Sequence, residues 1–214
     1  MTIRDESGFF TGRDELWHAV THGIGTILSI GALVVLIVAS VSKGDAWHVV
    51  SFSIFGATLI LLYLASTLYH AMQLRSVKRV LRTIDQSAVY VLIAGSYTPF
   101  LLTDLRGPWG WSLLGVVWAL AIFGVVTRFR SRNTVKKGAL FIYLGMGWLM
   151  IVAIKPLITS VPTPSLLWLA AGGLAYTLGT IFYSWEKLPY NHVIWHVFVI
   201  AGSFSHFFAV LNLL

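Results

Sequence analysis

Tyr190-Asn191-His192-Val193-Ile194-Trp195-His196-Val197-Phe198-Val199-Ile200 opens the last apolar stretch of the chain. Two histidines four residues apart share one face of a helix, one turn above the other. From Val193 to Leu214 there is no Asp, Glu, Lys or Arg, and that run is long enough to cross a bilayer. An imidazole in such a segment is costly to desolvate and marks a functional site by default. The i,i+4 pair also gives one metal two nitrogen ligands from a rigid element. A single pair is weak evidence, so the reading turns on whether the rest of the chain brings a third ligand.

Working outward, 57% of the 214 residues are hydrophobic and only 11% charged, with a mean hydropathy of +0.80. A soluble globular domain carries about 25% charged residues, so the expected architecture is all-α: residues 1–214 form one multi-pass membrane domain. Cysteine is absent, which excludes disulfides, thiolate ligands and a cysteine nucleophile. The start, Met1 to Glu15, is polar and of mixed charge, unlike a cleavable signal peptide. The net charge of +7 does not point to nucleic acid. Its basic residues gather in two short connections, where they orient a membrane protein; the expected partners are membrane lipids.

Seven spans are expected after a leader, residues 1–16. The first runs from about Trp17 to Val41 and the second from about Trp47 to Met72, joined by the tight turn Ser42-Lys43-Gly44-Asp45. A basic loop with Arg75, Lys78, Arg79 and Arg82 leads to a third span, which opens at Asp85 and closes near Pro99-Phe100. The fourth covers about Trp109 to Thr127 and the fifth about Ala139 to Ile154, separated by the most basic loop (Arg128, Arg130, Arg132, Lys136, Lys137). The fifth stops at Lys155-Pro156. The sixth runs from about Leu166 to Ser184, and Glu186-Lys187-Leu188-Pro189 leads into the seventh.

With seven spans, the leader and the second, fourth and sixth loops share one side. That side carries twelve of the fifteen Lys and Arg residues; Lys43, Arg106 and Lys155 are on the other. The excess of basic residues sets the N-terminus in the cytoplasm and the C-terminus outside. It also places His70, Asp85, His192, His196, His18 and His22 at one depth, near the cytoplasmic face. His48 falls at the outer end of the second span. His206 lies about 21 Å beyond His192 at 1.5 Å per residue, where an interhelical hydrogen bond is its expected role.

His70, His192 and His196 make three imidazoles at a shared depth, the donor set of a catalytic zinc with an open position. Ligand type alone leaves nickel, copper and iron open. His18 and His22 are a rival pair with the same spacing, and periodicity does not choose between the pairs. Asp85 reads either as a helix N-cap or as a base acting on a water at the metal. Ser66 lies one turn before His70; its plainer role is a bond back to its own helix.

Glu15-x-x-His18-x-x-Thr21-His22, Ser66-x-x-Tyr69-His70, Asp85, Tyr97-Thr98-Pro99-Phe100 and His192-x-x-x-His196 with His206 follow one another along nearly the whole chain. In that order they resemble the hemolysin III branch of the progestin and adipoQ receptor family, itself similar to the alkaline ceramidases. The resemblance implies zinc held by His70, His192 and His196, with Ser66 and Asp85 beside the water at the metal. His18, His22 and Glu15 then support the ligands from behind. Family receptors carry a long cytoplasmic domain. About sixteen residues precede the first span here, so the expectation is the metal core without hormone sensing.

The expected function is zinc-dependent hydrolysis of a lipid amide, with Asp85 and Ser66 as catalytic residues, in the lipid homeostasis of a cell membrane. A regulator with structural zinc is the alternative. A cytolytic pore, suggested by the branch name, ranks last because the outer halves of the spans are apolar. The orientation is directly testable, since single cysteines can be placed in a cysteine-free chain. Positions near Lys43, Arg106 and Pro162 should label from outside, and those near Arg79 and Arg132 should not; the reverse pattern refutes the orientation.

Overall fold

A computed structural model describes residues 12–130 and 136–214. The leader through Thr11 and Arg132 of the basic loop lie outside the described residues. Among the described residues all regular structure is helical: α1 (Arg13–Lys43), α2 (Ala46–Ala71), α3 (Arg75–Leu102), α4 (Pro108–Arg130), α5 (Lys136–Gly147), a 3-10 segment (Leu149–Ala153), α6 (Ile154–Ser160), α7 (Thr163–Ser184) and α8 (Asn191–Leu211). Six stretches are long and apolar enough to cross a membrane: α1, α2, α4, Gly138–Ser160, α7 and α8. Their outward faces are apolar, as Ile27, Val38 and Val41 on α1 and Ile122 and Phe123 on α4 illustrate.

The remaining long helix, α3, departs from the expected pattern. The basic segment expected as a loop is its first two turns, and Asp85 sits ten residues inside rather than at the opening. Arginine and lysine are good helix formers. Along this stretch Arg75 and Arg79 face outward while Lys78 is buried. An aspartate at that position cannot be an N-cap, so Asp85 does not cap α3, which starts after Leu74.

The fifth span also differs: it continues helically to Ser160 but is interrupted in the middle by the 3-10 segment. The Tyr97 hydroxyl on α3 reaches the carbonyls of Met146 and Gly147 at 2.7 and 2.8 Å and accepts from the Met150 N–H at 3.1 Å. A side chain inserted into the helical ladder is a sufficient cause for such a break.

Successive helices α1 to α4 pack side by side, α7 pairs with α8, and α8 returns to lie against α1. That closure brings the two ends of the chain together. A close approach secures it on the α1 side, where Gly25 leaves room for the Tyr63 ring: an added Cβ would lie 2.5 Å from that ring. Tyr63 is held by its hydroxyl, which donates to Ser203 Oγ of α8 at 2.7 Å, so α1, α2 and α8 meet at one tyrosine.

Two polar side chains satisfy helix ends, one at an entry and one at an exit. The Asp45 carboxylate accepts the N–H of Trp47 at 2.9 Å and of His48 at 3.1 Å, and the His48 ring returns to Asp45 in a capping box, which gives His48 a structural role. The His48 contact holds the Asp45 carboxyl below its usual range. At the other side of the bundle, Asn191 Nδ2 donates to the carbonyls of Phe182 and Tyr183. Those are end carbonyls of α7, which a helix leaves without partners of its own. The bond fixes where α8 begins, one residue before His192.

Candidate metal centre

Five histidines gather at one end of the bundle: His18 and His22 from α1, His70 from α2, and His192 and His196 from α8. His18, His22, His70 and His196 are buried and His192 is half-buried. The i,i+4 spacing predicted from sequence places each pair on one helix face, and the contact of α8 with α1 turns those faces toward each other.

The ligand atoms of His18, His70 and His192 all lie within 4.8 Å of one another. For any such trio a point exists within about 2.8 Å of all three atoms, against ~2.0–2.1 Å for a zinc–nitrogen bond. Small pivots of the rings are enough to close the site, so the donor set fits a metal ion. His70 and His192 were expected as ligands. His18, expected behind them, stands among the converging donors. His196 is adjacent, its ring centre 4.5 Å from that of His192.

The surroundings orient these rings. Glu15 Oε2 is 2.6 Å from His70 Nδ1, and Glu15 Oε1 is 2.9 Å from Lys78 Nζ. A carboxylate accepting from Nδ1–H puts the imidazole lone pair on Nε2, the arrangement that usually supports a metal-binding histidine from behind. Thr21 Oγ1 is 3.0 Å from His196 Nδ1 and 2.8 Å from the Trp17 carbonyl. If the hydroxyl donates to the carbonyl, it accepts from Nδ1–H, and His196 Nε2 carries the lone pair. His22 stacks on His196, with ring centres 3.5 Å apart and planes 14° apart, and meets Tyr63 edge-on at 5.0 Å.

Asp85 is half-buried and lies beside Ser66. Both residues line an interior cavity of about 760 Å³ together with His22, His192 and His196. Arg82 and Arg128 line its polar end, and the walls run past Leu62, Val89, Phe100 and Ile154 to His206. Among the described residues His206 makes no interhelical hydrogen bond of the expected kind: its Nδ1 donates to the Gly202 carbonyl of its own helix at 2.9 Å. The ring fits against Gly172 of α7, where a Cβ would collide with it.

Sequence reasoning missed Lys78, which is buried and neutralises Glu15. By charge it reads with the basic loop; its i,i+4 spacing from Arg82, which lines the cavity, rather than from the outward-facing Arg79, is what puts it on the inward side of α3. Thr21 lies within the quoted opening motif, but no local signal marks its hydroxyl as a partner of His196, 175 residues away.

If the cluster binds metal, its support is measurable through affinity. His70→Ala or His192→Ala should remove tight binding of zinc in competition with a chromophoric chelator. Glu15→Gln should weaken zinc binding of the folded protein by about 10–100-fold, the usual effect of losing a group that orients a ligand, and should also lower stability by removing the carboxylate beside Lys78. Unchanged affinity in Glu15→Gln would mean that Glu15 serves only its ion pair with Lys78.

The sequence profile described as "Haemolysin-III related" matches residues 10–207. The chain is 50% identical over 202 residues to a Bacillus subtilis protein named "Hemolysin-3 homolog", covering 94% of this chain and 95% of that protein. It is 48% identical over 199 residues to "Hemolysin-3" of Bacillus cereus, covering 93% and 91%. The human "Monocyte to macrophage differentiation factor" is 31% identical over 172 residues, covering 78% of this chain and 71% of its own. A match along nearly the whole chain, on a bundle of long apolar helices, makes this a multi-pass cell-membrane protein that belongs to the hemolysin III branch of the progestin and adipoQ receptor family.

Proposed function

We propose that this protein is a zinc-dependent hydrolase of a lipid amide, acting inside the membrane near its cytoplasmic face. The observation that carries the reading is the shared cavity. One chamber joins the Asp85–Ser66 pair, the histidines of α8 and an apolar space reaching His206. Its volume falls within the ~300–1,000 Å³ of small-molecule sites, and its contents divide as a lipid does. A polar end with two arginines suits a headgroup, and apolar walls suit an acyl chain.

In this reading α3 is the seventh crossing, with the N-terminus cytoplasmic, as the distribution of basic residues favours. His70, His192 and His196 are the ligands that the family resemblance supports, and the convergence of His18 with His70 and His192 supports a metal at the same place. When bound, zinc would polarise the scissile carbonyl and lower the pKa of water toward ~7. Asp85 takes the proton from the attacking water and delivers it to the leaving amine. Ser66 donates a hydrogen bond to the oxygen that gains charge, from a place beside Asp85 on the same cavity wall. The cavity walls exclude water from the chain and orient the amide against this pair.

The test compares wild type with Asp85→Asn for release of fatty acid from a panel of lipid amides and esters. Loss of a positioned acid or base should cost ~10²–10⁴-fold in rate, with zinc and fold retained. Since Asp85 lies deep inside α3, a mutant as fast as wild type has no capping explanation and would remove Asp85 from the chemistry. If the zinc-loaded wild type turns over no lipid, the hydrolase reading gives way to a regulator with a structural metal.

A further inference from the structure

Four of the five clustered rings form a solid figure with a simple meaning. The centre of His18 is 4.7 Å from that of His70, 4.7 Å from His192 and 5.4 Å from His196. His70 is 5.3 Å from both His192 and His196, and His192 is 4.5 Å from His196. All six separations thus fall between 4.5 and 5.4 Å, a nearly regular tetrahedron of ring centres; among ligand atoms, those of His18, His70 and His192 already lie within 4.8 Å of one another, and His196 joins them by a turn of its ring. Four imidazoles bound through one nitrogen each, at the ~2.0–2.1 Å typical of zinc, would place their ring centres about 5 Å apart in a tetrahedron. His22 stands outside this figure, stacked flat on His196 at 3.5 Å, where it can pack a ligand but not share its ion.

We infer that His18 is a fourth protein ligand, so that the resting site is a closed set of four imidazoles drawn from α1, α2 and α8. The inference rests on the reading that a metal resides in this cluster, and goes beyond it by changing the count and the consequence. Three protein ligands leave a position for substrate; four do not, and closed sites are the structural kind. A carbonyl in the cavity therefore reaches the ion only when one ring withdraws. His18 is the ring placed to do so. His18 itself is buried, but α1 is the least covered of the three helices along its apolar window, 22% buried against 56% for α2 and 44% for α8. The second support is the tautomers: Glu15 orients His70, and Thr21 can orient His196, from the same first turns of α1 that carry His18. A movement of that segment would loosen one ligand and its neighbours' supports together, which couples the position of α1 to access to the metal.

The experiment is X-ray absorption on the zinc-loaded full-length chain in detergent or nanodiscs, beside absorption spectra of the cobalt(II)-substituted protein with and without azide. The expected wild-type result is four imidazole nitrogens and a cobalt spectrum that azide does not change. His18→Ala should show three imidazoles with a light-atom fourth neighbour, an azide-sensitive spectrum and zinc affinity weakened by about 10–100-fold. Should His18→Ala fail to fold, the wild-type ligand count decides alone. Three imidazoles in wild type, or azide binding to wild-type cobalt protein, overturns the inference while leaving the metal reading in place. A chain that takes up neither zinc nor cobalt overturns the metal reading, and the inference with it.

Discussion

A carboxylate in an apolar bundle is tolerated only when its charge is matched and its oxygens are occupied. Glu15 meets that condition by pairing with Lys78 of α3 on one oxygen and His70 of α2 on the other, which ties three helices together at one point. Removing either side of a buried pair typically costs about 3–5 kcal/mol, because a lone charge is left behind. The arrangement therefore stabilises little by itself but strongly penalises any other register of α1. With α1 fixed, His18 and His22 must face inward. With α8 held by Asn191 at one end and Tyr63 in the middle, His192 and His196 must face them. The histidine cluster is thus a consequence of polar groups in an apolar setting, each having few places to go.

The same constraint explains the division of the cavity. The polar groups of the bundle concentrate at the histidine end, where Asp85, Ser66, Arg82 and Arg128 share the wall. Beyond them the few polar side chains satisfy one another: Tyr63 and Tyr176 both reach Ser203, and His206 bonds within its own helix. What is left facing the chamber is largely apolar, so its shape favours a molecule with one polar end. A conducting pore would need a continuous polar stripe through the bundle, and this chamber offers its charged groups at one end only.

Much of this was legible in the chain because a bilayer leaves few choices. Seven apolar spans were expected, and six described stretches are long and apolar enough to cross a membrane, while histidine spacing puts each i,i+4 pair on one helix face. Three features were not legible. The start of α3 was hidden because Arg75 to Arg82 reads as a loop by charge, while its helical status depends on Lys78 finding Glu15 sixty-three residues away in sequence. The break in the fifth crossing depends on the Tyr97 hydroxyl, a tertiary contact with no local signal. The place of His18 among the donors depends on how α1 leans on α8, which two equal i,i+4 pairs do not reveal.

The central claim is that the clustered imidazoles exist to hold a metal ion. Elemental analysis of the purified full-length chain, by element and stoichiometry, tests it most directly. The account predicts one zinc per chain that survives dialysis. A folded, metal-free protein that acquires no metal when zinc, nickel, copper and iron are supplied would contradict it.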